Sequence, residues 1–393
     1  MRPSSLLPVV ALAALACASG DPDVTDTDTD TDADSDVLDT QDTAAAPDLR
    51  ALVVGTWVPD DPGLFFFGEQ GQLSSLVLRP DGSGGVTWTA SGTGALVCLA
   101  FRWEVVAQSL LLDFEASELA VFLFDGLYGL TVDEDRLALV PDVGLPATFD
   151  AAPALPPEQT CGRLIAQAEV QGPSEPHEAG NLVYAPTVDL FWYAREQDAS
   201  VEPVNPSGAA ISTPPQAFPV SMLRGLQAVD LAADAWWFLD PSDPAALTCR
   251  TSADASCGKV DTTTLGAKIT VEAAALAGGH LWLHGRSTTG PRQLVEVDLA
   301  GPTLVRTVTL DLPLEVMTWD GTHLWGVSRE MVGPVLQIDP GAGRVVRTWG
   351  FPAYNRLLHR WEGLAFAGGE LWAMMTSSFD EHSRPTLRRF ARE

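Results

Sequence analysis

Four side chains that could bind a ligand through oxygen recur at one position of a repeated segment. The position lies ten residues before the last tryptophan of each of five repeats, and it holds Leu182, Gln227, Glu272, Glu315 and Glu362. Carboxylates that face one another repel unless they are protonated, hydrogen-bonded or bridged by a cation. The pattern therefore predicts a ligand or cation site formed by the glutamine and the three glutamates.

Two other interpretations of these glutamates remain open. Repeats inherit residues from a common ancestor, so a recurring glutamate can be structural and point to solvent. Catalysis by the same carboxylates is the third interpretation. We expect no catalytic residue elsewhere, because the sequence contains no Gly-x-Ser-x-Gly elbow, phosphate-binding loop or His-Glu-x-x-His motif.

The repeat is marked by its last tryptophan, which recurs after 45, 45, 43 and 47 residues at Trp192, Trp237, Trp282, Trp325 and Trp372. A period of this size is typical of stacked supersecondary units. Short apolar–polar alternations between Gly, Pro and Asp predict antiparallel strands. Four strands per repeat predict a five-bladed β-propeller, with the tryptophans packed between blades. The recurring glutamates would start each innermost strand, near the mouth of the channel. A degenerate sixth blade is the alternative count.

The last repeat lacks a predicted fourth strand. A strand-like segment from Arg163 to Val170 precedes the first repeat and belongs to no unit of its own. An unpaired strand edge invites aggregation. We therefore expect residues 164–170 to pair with Leu387 to Phe390 as the outer strand of the last blade, closing the ring.

Residues 51–161 differ in sequence pattern from the repeats, and their pattern predicts a small β-barrel. Strands are expected at Leu73–Leu78, Val86–Thr89, Leu96–Val106, Leu110–Phe114, Leu119–Phe124 and Arg136–Val140, with a tight hairpin turn at Pro80–Gly84. The opening Gly55-Thr56-Trp57 resembles lipocalin-like barrels of secreted bacterial proteins. A structural β-domain without a ligand cavity is the alternative. The fold class is thus all-β, a lipocalin-like barrel followed by a propeller over residues 162–393.

The start of the chain predicts export. Residues 1–16 carry one basic residue and then an apolar run too short to span a bilayer, which is typical of a signal peptide. The sequence Ala14-Leu15-Ala16-Cys17 resembles the lipobox of bacterial lipoproteins, and the resemblance implies lipidation of Cys17. Ordinary cleavage near Ala16 or Ala18 is the alternative. We expect an outer-membrane lipoprotein that faces the periplasm or the cell surface and is held only by its lipid.

An acidic tether is expected over residues 17–50. Residues 18–48 contain eleven Asp and no basic residue, so this segment cannot form a core and stays extended. Its Asp26, Asp28 and Asp30 have the first spacings of a calcium loop but lack the loop's glycine and final glutamate. The formal net charge of −29 excludes nucleic acid as a partner.

The five cysteines predict an oxidising compartment. One is assigned to the lipid, and an even number remains. Cys249 and Cys257 are close in sequence and are expected to pair, which leaves Cys98 with Cys161. Zinc would require tighter ligand spacing and nearby histidines.

The phrase from Trp361 to Trp372 resembles segments of two propeller families, the plant-type glutaminyl cyclotransferases and the gluconolactonase-like hydrolases. Glu362 matches a position that supplies a calcium ligand in the second family, whose other ligands have no clear match in this chain. The expected function is a non-enzymatic binding or scaffolding module, monomeric, with a protein, peptide or glycan ligand. The alternative is a cyclotransferase-like enzyme or a calcium-dependent lactonase-like enzyme.

Overall fold

The architecture was obtained as a computed structural model. It describes residues 48–61, 71–90, 96–113, 126–141, 146–153, 161–171, 179–195, 200–209, 211–218, 225–240, 242–327, 334–350, 359–377 and 386–392. The predicted signal sequence, Cys17 and nearly all of the acidic tether lie outside these residues. No helix in the described part of the chain is long and apolar enough to cross a membrane.

The first folded region is a closed antiparallel barrel, and a short helix precedes its first strand. The helix α1 (Leu49–Val53) begins where the Asp48 carboxylate accepts the N–H of Arg50 at 3.0 Å. Each strand pairs with the next, and the first pairs with the last to close the barrel. The strands are β1 (Gly55–Pro59), β2 (Gly71–Leu78), β3 (Ser83–Ala90), β4 (Leu96–Val106), β5 (Ser109–Asp113), β6 (Gly126–Val132), β7 (Arg136–Pro141) and β8 (Ala147–Ala152).

Inward-facing apolar side chains fill the core of the barrel. Trp57, Phe101 and Phe149 are all buried there. The polar end of Trp57 is satisfied, because its indole N–H donates to the carbonyl oxygen of Val53 at 2.9 Å. The resemblance of this barrel to lipocalins stays a prediction.

Most of the barrel strands match the sequence-based expectation. The predicted hairpin turn is confirmed between β2 and β3, where Gly82 has a φ of 81° that favours glycine. The sequence did not predict β6 or β8, because their apolar–polar alternation is weak. The strand expected at Leu119–Phe124 lies outside the described residues.

The remaining strands form three four-stranded sheets and one eight-stranded sheet, and the latter consists of two four-stranded antiparallel blades joined edge to edge. The predicted count of five blades is confirmed. Blade 1 has a short outer strand because Pro214 and Pro215 precede it and lack the N–H that a ladder requires. In order from the inside outward, the blades contain β10 (Ala179–Ala185), β11 (Leu190–Arg195), β12 (Ser200–Val204) and β13 (Gln216–Ala217); β14 (Leu226–Asp230), β15 (Ala235–Leu239), β16 (Ala246–Arg250) and β17 (Ser256–Asp261); β18 (Ile269–Ala277), β19 (His280–Ser287), β20 (Arg292–Asp298) and β21 (Thr303–Thr309); β22 (Val316–Trp319), β23 (Leu324–Val327), β24 (Val335–Asp339) and β25 (Arg344–Gly350); and β26 (His359–Ala367), β27 (Glu370–Ser377), β28 (Thr386–Arg392) and β9 (Cys161–Gln171).

The repeated tryptophans pack between blades, as predicted. Five separate apolar clusters each join two neighbouring blades, and each contains one of the five. Trp325 is completely buried between blades 4 and 5, where its ring lies 6.0 Å from that of Trp349 and 5.0 Å from that of Phe366. Trp372 packs between blade 5 and blade 1, so the ring of blades is continuous.

The closing contact between blades 5 and 1 is tight. A Cβ atom at Gly363 would lie 2.1 Å from the backbone nitrogen of Leu182. Only glycine allows the innermost strands β26 and β10 to approach this closely.

The predicted closing strand is confirmed. Strand β9 pairs antiparallel with β28, with Val170 opposite Leu387. The strand is longer than the predicted 164–170, and its first residues also pair in parallel with β25, from Cys161 opposite Thr348. One strand therefore closes blade 5 and joins it to blade 4.

Both predicted disulfides are present. Cys249 is linked to Cys257 across the β16–β17 hairpin of blade 2. Cys98 on β4 of the barrel is linked to Cys161 on β9 of the propeller. The Arg79 guanidinium donates to the carbonyl oxygen of Cys161 at 2.6 Å, so the barrel is bound to the strand that closes the ring.

Candidate functional site

The recurring position is a β-bulge on the innermost strand of a blade. The residue skipped in the pairing is Gln227 in β14, Glu272 in β18 and Glu362 in β26. A bulge leaves one residue out of the ladder and re-aims its side chain. Glu315 lies just before β22, and its N–H donates to the carbonyl oxygen of Val327 at 3.0 Å.

The bulge changes where these residues lie along their strands. The prediction that they start the innermost strands is wrong for Glu272 and Glu362, each of which is the fourth residue of its strand. Strand pairing continues on both sides of the bulge, so the strand begins earlier than the sequence pattern suggests.

Gln227 connects two blades. The residue is only 5% exposed, and its Oε1 accepts the backbone N–H of Ala274 in β18 at 2.7 Å. That bond joins the innermost strands of blades 2 and 3. The amide nitrogen Nε2 is the end of the side chain that this bond does not use.

Glu272 forms an ion pair within its own blade. Its Oε2 accepts a hydrogen bond from Nε of Arg292 at 2.8 Å. The backbone N–H of Arg292 in turn donates to the carboxylate of Asp311 at 3.1 Å. The carboxylate of Glu272 also lies 3.8 Å from Nδ1 of His284, which is completely buried.

His284 is a buried neutral imidazole. Burial lowers its pKa to about 4, although the carbonyl oxygen of Leu310 and the charge of Glu272 act in the opposite direction. Its Nε2 lies 3.3 Å from that carbonyl oxygen. The folded protein therefore keeps this ring uncharged at neutral pH.

A pH-dependent loss of stability follows from this histidine. Between about pH 6.5 and 4 the unfolded chain binds a proton at His284 that the folded chain does not bind. The free energy of unfolding should therefore decrease as the pH is lowered through that range, by about 3 kcal/mol at most. Urea unfolding at pH 7 and at pH 4.5 measures the fall, and the H284Q variant should lose less stability than the wild type. Equal losses in the two proteins would contradict the assignment.

Glu362 is the most buried of the recurring glutamates, with 3% of its surface exposed. The structure does not bring the four side chains together as a metal site. Among the described residues, no three of His, Cys, Asp or Glu are close enough to one another to hold a metal ion. The described residues therefore do not fit the predicted calcium site.

The centre of the propeller contains a cavity of about 350 Å³. All five innermost strands contribute to it, together with the turns that connect them to the second strands. Of the five recurring positions, Leu182 and Gln227 line the cavity. Its other walls come from Tyr184, Pro186, Thr187, Asp230, Leu231, Gly278, Gly279, Met317, Thr318, Trp319, Leu364, Phe366 and neighbouring residues of the same strands.

Sequence reasoning missed the residues at the mouth of this cavity. Tyr184, Asp230 and Trp319 lie near the ends of innermost strands, just before the turn to the second strand. They differ in type from one repeat to the next, so no recurring residue type marks them in the sequence. Their place in the repeat was visible, because each lies a few residues before a repeated tryptophan phrase.

Comparison with known proteins finds distant structural similarity. No protein-family model matches it, and no curated protein matches it. A glutaminyl cyclase from Myxococcus xanthus is 14% identical, with 59% of this chain and 97% of that chain covered and a TM-score of 0.42. A gluconolactonase from Xanthomonas campestris is 11% identical, covering 61% of this chain and 98% of that chain with a TM-score of 0.36.

A calcium-binding protein, regucalcin, from Agrobacterium tumefaciens is 12% identical, covering 57% of this chain and 95% of that chain with a TM-score of 0.35. At these identities and TM-scores the similarity supports no conclusion about activity, and the activities belong to those proteins.

Proposed function

We propose that this chain is an exported, membrane-anchored protein whose propeller binds a small ligand in its central cavity without transforming it. The observation that carries the proposal is the cavity itself, about 350 Å³ enclosed by five innermost strands. Cavities of roughly 300 Å³ or more that combine apolar walls with a few polar groups are typical of small-molecule sites.

The contacts of the recurring side chains support binding over catalysis. Glu272 is held by Arg292 at 2.8 Å, so its carboxylate is already engaged within its own blade. Gln227 carries no charge and holds Ala274 through its oxygen. Both residues therefore contribute to the structure of the propeller.

Ligand-induced stabilisation tests the proposal. The melting temperature of the purified full chain should rise when a ligand from a panel of sugars and short peptides is added. A ligand that binds only the folded state stabilises that state. The same protein should not turn over a peptide with N-terminal glutamine or a sugar lactone. Turnover that is lost in E362Q would contradict the proposal.

An enzyme that uses Glu362 is the second candidate. Glu362 is a bulge residue with 3% of its surface exposed, and a bulge can re-aim a side chain toward a site. The solved propellers similar to this chain include a glutaminyl cyclase and a gluconolactonase. The E362Q comparison separates this candidate from the first.

The membrane anchor is part of the proposal, with Cys17 as its lipid site and the acidic segment as its tether. We expect the wild type in the membrane fraction and C17S in the soluble fraction. Fractionation followed by immunoblotting measures the distribution. Absence of lipid from the mature wild-type N-terminus, determined by mass spectrometry, would contradict the anchor.

A further inference from the structure

The central cavity gives more detail on the class of ligand, and this inference rests on the proposed binding function. The cavity lies toward the end of the channel where the innermost strands turn into the second strands. The glutamates at the other recurring positions do not line it. Its chemistry is therefore set by the residues at this mouth and by Gln227.

Gln227 offers a hydrogen-bond donor at the inner end of the cavity. Its Oε1 accepts the N–H of Ala274, which leaves Nε2 as the donor end of this side chain. The residue is 5% exposed and lines the cavity. An amide N–H is a hydrogen-bond donor, so the site favours an occupant that brings an oxygen acceptor to this point.

The mouth of the cavity combines aromatic rings with hydroxyl groups. Tyr184, Trp319 and Phe366 supply the rings, and Thr187 and Thr318 supply the hydroxyls. The Tyr184 hydroxyl donates to the Asp189 carboxylate at 2.7 Å, and this bond fixes the ring at the mouth. Flat apolar faces beside hydroxyl groups suit a ligand with C–H bonds on its faces and hydroxyls at its edges.

The charges of the residues that line the cavity restrict the class of ligand further. Among the described residues that line the cavity there is no Lys or Arg, and the only carboxylate is Asp230. One oxygen of Asp230 accepts the N–H groups of Ala232 and Ala233 at 3.0 and 3.2 Å. Its other oxygen can accept from a ligand hydroxyl. An anion would enter without a positive partner, and desolvating an unpaired charge is costly.

We propose that the cavity binds the end of an uncharged glycan, with the terminal sugar ring between the aromatic residues and a sugar oxygen at Nε2 of Gln227. A volume of about 350 Å³ has room for roughly one or two sugar rings. This assigns a binding site to the end of the channel at which the innermost strands turn into the second strands.

Calorimetric titration of the full chain in detergent with neutral and charged sugars tests the inference. The neutral probes are maltose, cellobiose and diacetylchitobiose, and the charged probes are glucuronate and glucose phosphate. We expect at least one neutral probe to bind and the charged probes to bind about tenfold more weakly or not at all.

The Q227E variant isolates the donor. A carboxylate at this position keeps an oxygen for the N–H of Ala274 and removes the N–H donor, so binding of the neutral probe should weaken about tenfold or more. The matched control is Q337E, because Gln337 lies on β24 outside the cavity and contacts His323 at 3.1 Å. The control should bind as the wild type does. If Q227E fails to fold, W319L tests the aromatic mouth, with the same loss expected.

The outcomes are distinguishable from failure of the proposed function. Binding of neutral sugars that is lost in Q227E or W319L supports the inference. Binding of only a charged sugar or a peptide, lost in the same variants, overturns the glycan class while it supports a binding function. Neutral sugars that bind equally to wild type and Q227E, or that do not bind, overturn the inference. Turnover abolished by E362Q overturns both proposals.

Discussion

Deleting residues 162–171 is expected to make the protein aggregate. This segment is most of β9, which pairs with β28 over Leu164 to Gln171 and with β25 at its beginning. Its removal leaves the edges of both neighbouring strands unpaired and exposes the core against which Leu164 is completely buried. Unpaired edges are templates for association between chains. Analytical ultracentrifugation measures the change.

A deletion of residues 211–217 is the matched control. It removes β13, the outer strand of blade 1, which pairs with β12 at only two positions. That variant should keep more of its monomeric fraction and melt closer to the wild type. Equal behaviour of the two deletions would show that β9 is an ordinary outer strand with no role in closure.

Removing the disulfide between Cys98 and Cys161 is the second large effect. The two cysteines are 63 residues apart and almost completely buried. Loss of a crosslink of this length should lower the free energy of unfolding by about 4 kcal/mol, because the unfolded chain regains loop entropy. The double variant C98A/C161A can be compared with the wild type by denaturant unfolding.

The chain contains its own control for this prediction. Cys249 and Cys257 are eight residues apart, so the same entropy argument gives about 2.5 kcal/mol for C249A/C257A. The longer crosslink also joins the barrel to β9, whereas the shorter one lies within a hairpin. A larger loss for C249A/C257A than for C98A/C161A would contradict the assigned roles.

The fold could be predicted because its signals repeat. Trp325 and its four counterparts keep the same place in each repeat, since each fills the same gap between two blades. The closing strand was predictable for a related reason, because the last blade lacked a strand and the segment before the first blade had no partner. The second pairing of β9, with β25, was not predictable, because parallel bridges of three residues leave no periodic pattern.

The site was less predictable. The sequence indicated Gln227 through its place among the glutamates, but it could not show that the position is a bulge. Nor could it show that Glu272 points to Arg292, because a bulge re-aims a side chain without altering the sequence pattern. His284 is buried beside Glu272, and no repeat signal marks it, since the equivalent residues in the other blades are apolar.

Crosslinking of β9 to β28 tests the closed ring most directly, and the cavity exists only if the ring is closed. Glu169 lies opposite Arg388 in the strand register, and their side chains form an ion pair at 3.0 Å. The double variant E169C/R388C should form an internal disulfide on oxidation, which mass spectrometry can map. The offset pair E169C/R392C should form it much less, because Arg392 lies opposite Leu164. Crosslinking that is absent from the first pair, or equal in the two pairs, would contradict a ring closed by β9.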